Sequence, residues 1–159
     1  MSNQDQGAVA HKFWSNTDRS QIEPAAFYQR QEDYLLEHVF PLLGEKDHLL
    51  DIGCADGRFS RLFARKVARV SAMDLEAELI EQARAQARAE GLDNVQFQAG
   101  NVFDFGTEDC FDAVSLMGVL TYISDDLIAA RLLLKAASLL KPGGLLILQD
   151  SVLLEGKEL

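Results

Sequence analysis

The sequence contains little that would build a disulfide scaffold, a metal site or a nucleic-acid surface. Its two cysteines, Cys54 and Cys110, lack CxxC spacing, and its three histidines lack the spacing of metal ligands. Fifteen lysines and arginines are scattered among twenty-five acidic residues, so the net charge is -10 and no basic stripe is left for a phosphate backbone. We therefore expect no structural disulfide, no metal ion and no nucleic-acid partner.

Long apolar runs are absent too. No segment has the length that a membrane-spanning helix needs, and the start of the chain, MSNQDQGAVAHKF, has no apolar stretch like that of a signal peptide. The chain is therefore predicted to be cytoplasmic, without a membrane partner. In a reducing compartment both cysteines are expected to be small buried hydrophobic residues rather than nucleophiles.

The composition, 48% hydrophobic and 25% charged over 159 residues, fits one globular domain with an extension at its start. Residues 1–20 are predicted to be a flexible tail, because they are largely polar and without periodicity. From Ile22 to Leu43 apolar residues recur at helical spacing, so residues 21–45 are predicted to form one or two amphipathic helices. Residues 46–159 are predicted to form the main domain.

The main domain alternates between short apolar segments and amphipathic helices. Five apolar segments are predicted to be buried strands: HLLDIG, ARVSAMD, NVQFQAG, FDAVSLMG and LLILQD. Helices are predicted after the first, second and fourth of them, over residues 57–66, 76–91 and 125–140, and KPGG is the predicted turn into the fifth strand. This order predicts an α/β fold with a doubly wound, mostly parallel sheet and helices on both faces.

In such a sheet ligands bind beyond the carboxyl ends of the strands, so the residues that follow each strand are the candidates for function. After the first strand, DIGCADG places Gly53 where the backbone turns tightly and approaches a ligand, and Gly57 where the next helix begins. Asp74 closes the second strand, where a carboxylate can accept both hydroxyls of a ribose. A plain structural loop and an exposed surface acid are the alternatives for these two features.

Five segments in this order resemble the motifs of one family. LLDIGCADG resembles the cofactor-binding first motif of class I S-adenosylmethionine-dependent methyltransferases, SAMDL their acidic second motif, and AGNVFDF their third. FDAVSLMGVLTYI resembles the fourth motif, and LKPGGLLIL the turn and strand that follow, so the similarity covers residues 46–150. The resemblance implies a Rossmann-like S-adenosylmethionine-binding domain that methylates a small molecule and releases S-adenosylhomocysteine.

The resemblance also implies how the methionine part of the cofactor is held. It would lie against four residues at the end of the first strand: Asp51, Gly53, Cys54 and Ala55. Met117 and Gly118 would line the sulfonium region after the fourth strand. The N-terminal helical segment, residues 21–45, resembles a lid over the cofactor, and its Arg30 would pair with the cofactor carboxylate. The alternatives are that Met117 fills the core and that Arg30 is solvated.

The adenosine part would be bound after the second and third strands. Asp74 and Leu75 would hold the ribose and one face of the adenine, while Asn101 and Val102 would reach the adenine edge. The family more often has aspartate at the first of these last two positions, but the amide of Asn101 offers both a donor and an acceptor. A loop cap is its structural alternative. Tyr122 is either a packed helix residue or a contact of the methyl acceptor.

Two other classes of function compete with the methyltransferase interpretation. A dinucleotide oxidoreductase shares the glycine turn and the acidic ribose residue, but its GxGxxG fingerprint needs a glycine where Ala55 stands, and Asp56 disfavours a pyrophosphate. A non-catalytic or truncated cofactor-binding module is the second alternative, because the family's sheet normally continues beyond the fifth strand and this chain ends at Leu159. Either a homo-oligomer or a missing C-terminal segment would then cover the open sheet edge. The sequence identifies neither a catalytic residue nor the methyl acceptor.

Overall fold

The computed structural model describes residues 25–104 and 110–150, and the predicted tail, residues 1–20, lies outside these ranges. Within them, helices and strands build one five-stranded sheet with flanking helices. In chain order the elements are α1 (Ala25–Tyr34), β1 (His48–Ile52), α2 (Arg58–Ala64), β2 (Arg69–Asp74), α3 (Ala77–Ala89), β3 (Val95–Ala99), β4 (Phe111–Met117), α4 (Asp126–Ser138) and β5 (Leu140–Gln149). None of the described helices is long and apolar enough to cross a lipid bilayer.

The five strands pair in the order β3-β2-β1-β4-β5, and every neighbouring pair is parallel. β1 is the central strand, where Leu50 is in register with Ser71 of β2 on one side and with Val114 of β4 on the other. The chain therefore winds outward in one direction from β1 to β3 and in the other from β4 to β5. This topology confirms the predicted doubly wound parallel sheet.

Both faces of the sheet are covered, which explains why its strands read as continuous apolar runs. Leu49 and Leu50 are adjacent on β1 and point to opposite faces, yet they are only 0% and 1% exposed. Leu49 belongs to the cluster of Phe63 on α2 and Ile80 on α3, whereas Leu50 belongs to the cluster of Leu132 on α4. Each such fully buried side chain contributes about 1.5–3 kcal/mol to folding.

The N-terminal helical segment is one continuous run in its described part. α1 passes directly into a π-helical turn, Leu35–Val39, and then into a 3-10 turn, Phe40–Leu42. Leu35 and Leu43 are buried in the same apolar cluster as α2 and α3. The segment is therefore packed on the domain, as an amphipathic helix is expected to be.

β5 begins earlier than the sequence predicts. The predicted strand starts at Leu145 after a turn at KPGG, whereas β5 starts at Leu140 and continues through a bulge. Phe111 of β4 pairs with Leu140 and Ala113 pairs with Leu145, so β5 has extra residues between these two pairs. Pro142 lies in this interval and has no N–H for a ladder bond, an interruption that edge strands tolerate.

Gly57 lies where α2 starts, tightly packed against β3 and α3. Its φ is +74°, in the left-handed region, and a Cβ at this position would lie 2.6 Å from Cε1 of Phe97 and 2.8 Å from Cβ of Ala83. Only glycine avoids both the backbone strain and this overlap. The predicted role of Gly57 at the start of the helix is therefore confirmed, and its cause is the close approach of the helix to the sheet.

A comparison of two glycine variants tests this packing. Gly91 has a similar φ of +69°, but nothing lies within 4 Å of the Cβ that a side chain would add. Gly91→Ala should therefore cost only the left-handed strain, about 1–2 kcal/mol, while Gly57→Ala should cost about 1–3 kcal/mol more through overpacking. Urea unfolding of both variants measures the difference. Equal losses would show that α2 has room to move away from Phe97.

Candidate cofactor-binding site

The carboxyl ends of the parallel strands bring the predicted site residues to one edge of the sheet. The loop after β1 leads to α2 and the loop after β4 leads to α4, and these two helices pack on opposite faces. Loops that diverge in this way leave a crevice between them, and ligands of open α/β sheets bind there. The predicted residues at this edge are Asp51, Gly53, Cys54, Ala55, Asp74, Leu75, Asn101, Val102, Met117 and Gly118.

The loop after β1 is anchored to β2 and touches the loop after β4. The N–H groups of Gly53 and Cys54 both donate to the carbonyl of Met73, at 2.8 and 3.0 Å. Gly53 has a φ of +73°, and a Cβ there would lie only 2.6 Å from Cγ2 of Val119. The close approach that requires glycine is thus an approach to Val119, and a contact of Gly53 with a ligand stays a prediction.

Ala55 carries the backbone strain of this loop. Its φ of 51° is left-handed, and it is the only non-glycine residue with a positive φ in the described part of the chain. A Cβ in this region costs about 1–2 kcal/mol, so a compensating contact is needed. The Ala55 N–H donates to Oδ2 of Asp74 at 2.8 Å and provides that contact.

Asp74 is half-buried at the end of β2 and organises the residues around it. Its Oδ1 accepts a hydrogen bond from the N–H of Glu76 at 3.0 Å, while Oδ2 is held by Ala55. Each carboxylate oxygen can accept more than one hydrogen bond, so this geometry is compatible with two further hydroxyl donors. The next residue, Leu75, is 62% exposed although it is a large apolar side chain.

The loop after β3 is closed by Asn101. Its Oδ1 accepts a hydrogen bond from the N–H of Phe103 at 3.0 Å, which is the loop-cap geometry expected as the structural alternative. Val102 is 7% exposed and belongs to the core on the α4 face. Phe103 is 39% exposed, and the guanidinium of Arg131 lies 5.3 Å from its ring centroid. The sequence analysis did not single out Phe103. The signal that could have identified it is a large apolar side chain within a polar loop.

Asp51 points into the protein interior and is 1% exposed. Ser60 of α2 donates to its Oδ2 at 2.5 Å, and Ser115 of β4 donates to its Oδ1 at 2.7 Å. Burial raises the pKa of Asp51 to about 6 against the lowering effect of the two hydroxyls, and the charge of Asp74 adds to the rise. The carboxylate therefore links β1 to α2 and to β4, and a contact with a cofactor stays a prediction.

The two serines that bind Asp51 were not identified from the sequence. Ser115 lies within the apolar run AVSLM, and a hydroxyl inside a buried strand is a recognisable signal for a buried polar partner. Ser60 offered a weaker signal, because one small polar residue on a helix face is common. Both side chains are 0% exposed.

The two cysteines differ in their surroundings. Cys54 is 7% exposed, and burial raises the pKa of its thiol, with the charges of Asp51 and Asp74 adding to the rise. The burial of Cys54 confirms that it is a buried apolar residue, and the raised pKa favours the protonated thiol, which is a poor nucleophile. The expectation that Cys110 is buried was wrong, since it is exposed directly before β4 begins.

The segment after β4 is tied to the end of β5. The N–H of Gly118 donates to the carbonyl of Gln149 at 2.6 Å. Both the N–H and the hydroxyl of Thr121 donate to Oδ1 of Asp150, at 2.9 and 2.8 Å. Met117 is half-buried against the core on the α2 and α3 face, and Tyr122 is 44% exposed. The roles assigned to Met117 and Tyr122 stay predictions.

α1 is attached to the same edge of the sheet at two points. Nε2 of Gln31 donates to Oε1 of Gln149 at 2.6 Å. Arg58, the first residue of α2, forms an ion pair with Glu32 at 2.7 Å, and its guanidinium lies 4.3 Å from the centroid of the Tyr28 ring. This position is compatible with the expected lid.

Arg30, the residue of α1 predicted to pair with the cofactor carboxylate, is exposed and has no hydrogen bond or ion pair to another described residue. Its predicted contact is not tested by this geometry. Arg58, which the sequence did not single out, is the arginine that connects α1 to the loop after β1.

Comparisons with known proteins identify the family of the chain. Residues 49–144 match the family model of the methyltransferase domain. The ubiquinone biosynthesis O-methyltransferase of Xanthomonas campestris pv. campestris (strain B100) is 36% identical over 143 residues, which is 89% of this chain and 56% of that protein. The chain belongs to the methyltransferase domain family, which confirms the resemblance of its motifs. It spans about half the length of the curated relatives it matches.

Solved structures agree with this assignment. A SAM-dependent methyltransferase from Methanosarcina mazei is 30% identical with a TM-score of 0.65, covering 70% of this chain and 56% of that one. The N-methyltransferase NodS of Bradyrhizobium japonicum WM9, solved with S-adenosyl-L-homocysteine, is 22% identical with a TM-score of 0.75, covering 90% of this chain and 71% of that one. At this identity the second similarity shows the shared fold.

The raised pKa of Asp51 predicts a specific pH dependence of stability. Since the folded state holds this proton more tightly than the unfolded chain, protonated Asp51 stabilises the fold at low pH. That contribution is lost as the pH rises from about 4 to about 6 and stays absent above. Between pH 4.5 and 8 the loss from this single group is about 2 kcal/mol.

Asp51→Asn removes this titration and keeps hydrogen-bonding groups for both serines. Urea unfolding of the wild type and the variant at pH 4.5 and 8 should show the variant gaining about 2 kcal/mol relative to the wild type at the higher pH. All other titrating groups cancel in this difference. A stability difference that is the same at both pH values would contradict the raised pKa.

Proposed function

We propose that this chain binds S-adenosylmethionine and directs the transfer of its methyl group to a small molecule. The Asp74 carboxylate carries the proposal. It closes β2 beside the crevice, is oriented by the N–H groups of Ala55 and Glu76, and keeps lone pairs for further donors. A ribose supplies two adjacent hydroxyl donors, which is what this carboxylate can accept.

The neighbouring residues fit the rest of an adenosine. Leu75 offers an exposed apolar surface next to the carboxylate, suited to one face of an adenine ring. The exposed amide of Asn101 keeps its NH₂ group beyond the bond that caps the loop, and Val102 supports the loop from the core. In the proposed complex Asn101 binds the adenine edge, and Phe103 adds a second exposed apolar surface beside it.

The methionine part is assigned to the backbone after β1 and β4. In the proposed complex this part contacts Gly53, Cys54 and Ala55 on one side and Met117 and Gly118 on the other. Asp51 acts through this backbone in the proposal, because its carboxylate is taken by Ser60 and Ser115. Arg30, exposed on α1, is assigned to the cofactor carboxylate.

S-adenosylmethionine supplies a methyl group that is already activated by the sulfonium charge. The residues of the chain then have to align the methyl acceptor and exclude water, which contributes about 7–11 kcal/mol in favourable cases. No activated nucleophile is needed for this role. The buried, protonated thiol of Cys54 is consistent with that requirement.

A small molecule is the proposed class of acceptor. The net charge of -10 opposes binding of a phosphate backbone. The name of the Xanthomonas relative, an O-methyltransferase of ubiquinone biosynthesis, supports an acceptor that is methylated on a hydroxyl oxygen. The cytoplasmic location and a homo-oligomer stay predictions.

Cofactor identity is tested by titrating the full chain with S-adenosylhomocysteine and with NAD in a calorimeter. The Ala55 N–H is occupied by Asp74, and Asp56 lies next to it, so the loop provides no cradle for an anionic pyrophosphate. We expect saturable binding of S-adenosylhomocysteine and none of NAD at the same concentration. Binding of NAD without a response to S-adenosylhomocysteine would refute the proposed function.

Asp74→Asn should weaken the binding of S-adenosylhomocysteine at least about tenfold. The variant loses charge-assisted hydrogen bonds to ribose, each worth about 1.5–3 kcal/mol. Asp93→Asn is a matched control, because it removes the same charge from an exposed position before β3, at the opposite edge of the sheet. Calorimetry gives both affinities, and circular dichroism checks the fold. A folded Asp74→Asn variant with unchanged affinity would show that Asp74 only anchors the loop.

A further inference from the structure

A second carboxylate, Asp150, directly follows β5 at the same edge of the sheet. Its Oδ1 accepts two hydrogen bonds from one residue, Thr121, through the backbone N–H at 2.9 Å and the hydroxyl at 2.8 Å. Thr121 belongs to the 3-10 turn Leu120–Tyr122, which follows β4. The turn therefore holds the carboxylate in one orientation.

The other oxygen of this carboxylate is buried and has no hydrogen-bond partner. Among the described side chains only Oε1 of Gln31 shares this condition, and Gln31 is hydrogen-bonded to Gln149, the neighbour of Asp150. A buried carboxylate oxygen without a donor costs more free energy than a buried neutral group in the same condition. Both of these buried acceptor oxygens thus lie near the carboxyl end of β5. Their position indicates a ligand that supplies a hydrogen-bond donor there.

The position of Asp150 separates it from the residues assigned to the cofactor. Those residues follow β1, β2 and β3 and the first positions after β4, whereas Asp150 follows β5, on the far side of β4. The N–H of Gly118 is bonded to the carbonyl of Gln149, so the end of β5 lies directly beside the proposed sulfonium region. This is the place from which a second substrate would approach the methyl group.

We infer that Asp150 binds the hydroxyl group of the methyl acceptor, an inference that rests on the proposed function. The O–H donates to Oδ2, and an oxygen lone pair is left for the methyl group. As the O–C bond forms, the carbon–sulfur bond breaks, S-adenosylhomocysteine leaves, and the hydroxyl proton passes to Oδ2. An amine is disfavoured at this place because a neighbouring carboxylate favours its protonated form, which has no lone pair for the attack. Asp150 thus contacts the substrate directly and selects a hydroxylated acceptor.

The test compares catechol with 1,2-dimethoxybenzene, which has the same ring but no O–H donor. NMR titration of the full chain saturated with S-adenosylhomocysteine gives both affinities. Wild-type protein should prefer catechol at least about tenfold, the value of one hydrogen bond to a charged group. Asp150→Asn should bring the two affinities within about twofold of each other, because its amide group can donate to an ether oxygen. Asp126→Asn, which removes an exposed charge at the start of α4, should keep the preference.

A second variant covers the case in which Asp150→Asn does not fold. Thr121→Val keeps the carboxylate and the backbone N–H but removes the hydroxyl that orients Oδ1. It should reduce the preference for catechol about threefold, a partial loss because the backbone N–H still holds Oδ1. The inference is overturned if the wild type shows no saturable binding of catechol, shows no preference for it, or if the preference survives in the folded variant. Failure of S-adenosylhomocysteine to bind the wild type would instead refute the proposed function itself.

Discussion

The hydrogen bond from the Ala55 N–H to the Asp74 carboxylate joins the first two strand ends of the site. Ala55 adopts a left-handed conformation that disfavours any residue with a Cβ, and this bond is what compensates the strain. The same carboxylate is held on its other side by Glu76. The left-handed turn at Ala55 and the orientation of the Asp74 carboxylate therefore depend on each other.

A second carboxylate lies beneath this contact. Asp51 is bonded to Ser60 on α2 and to Ser115 on β4, so it connects the central strand with one neighbouring strand and with a helix that packs on the sheet. Burial raises the pKa of Asp51, and the like charge of Asp74 adds to the rise. A pair of acids under the glycine loop favours a cationic ligand such as a sulfonium over an anionic pyrophosphate.

The fold was predictable because its strands are buried on both faces. Leu49 and Leu50 point to opposite faces of the sheet, so different helices had to cover them. The alternation of strands and helices along the chain places helices on both faces. The location of Asp74 followed from the same pattern, as the last residue of an apolar run. The pairing of Asp51 with Ser115 did not follow, because 64 residues separate them and only the strand register brings them together. Nothing local in the sequence indicates such a contact.

The contact between Gly53 and Val119 sets the distance between the two halves of the crevice. There is no space for even a methyl group between the loop after β1 and the loop after β4. A side chain at position 53 would therefore have to displace Val119, and with it the loop after β4. The spacing of the two loops thus depends on the absence of a single carbon atom, the Cβ that every residue other than glycine would add at position 53.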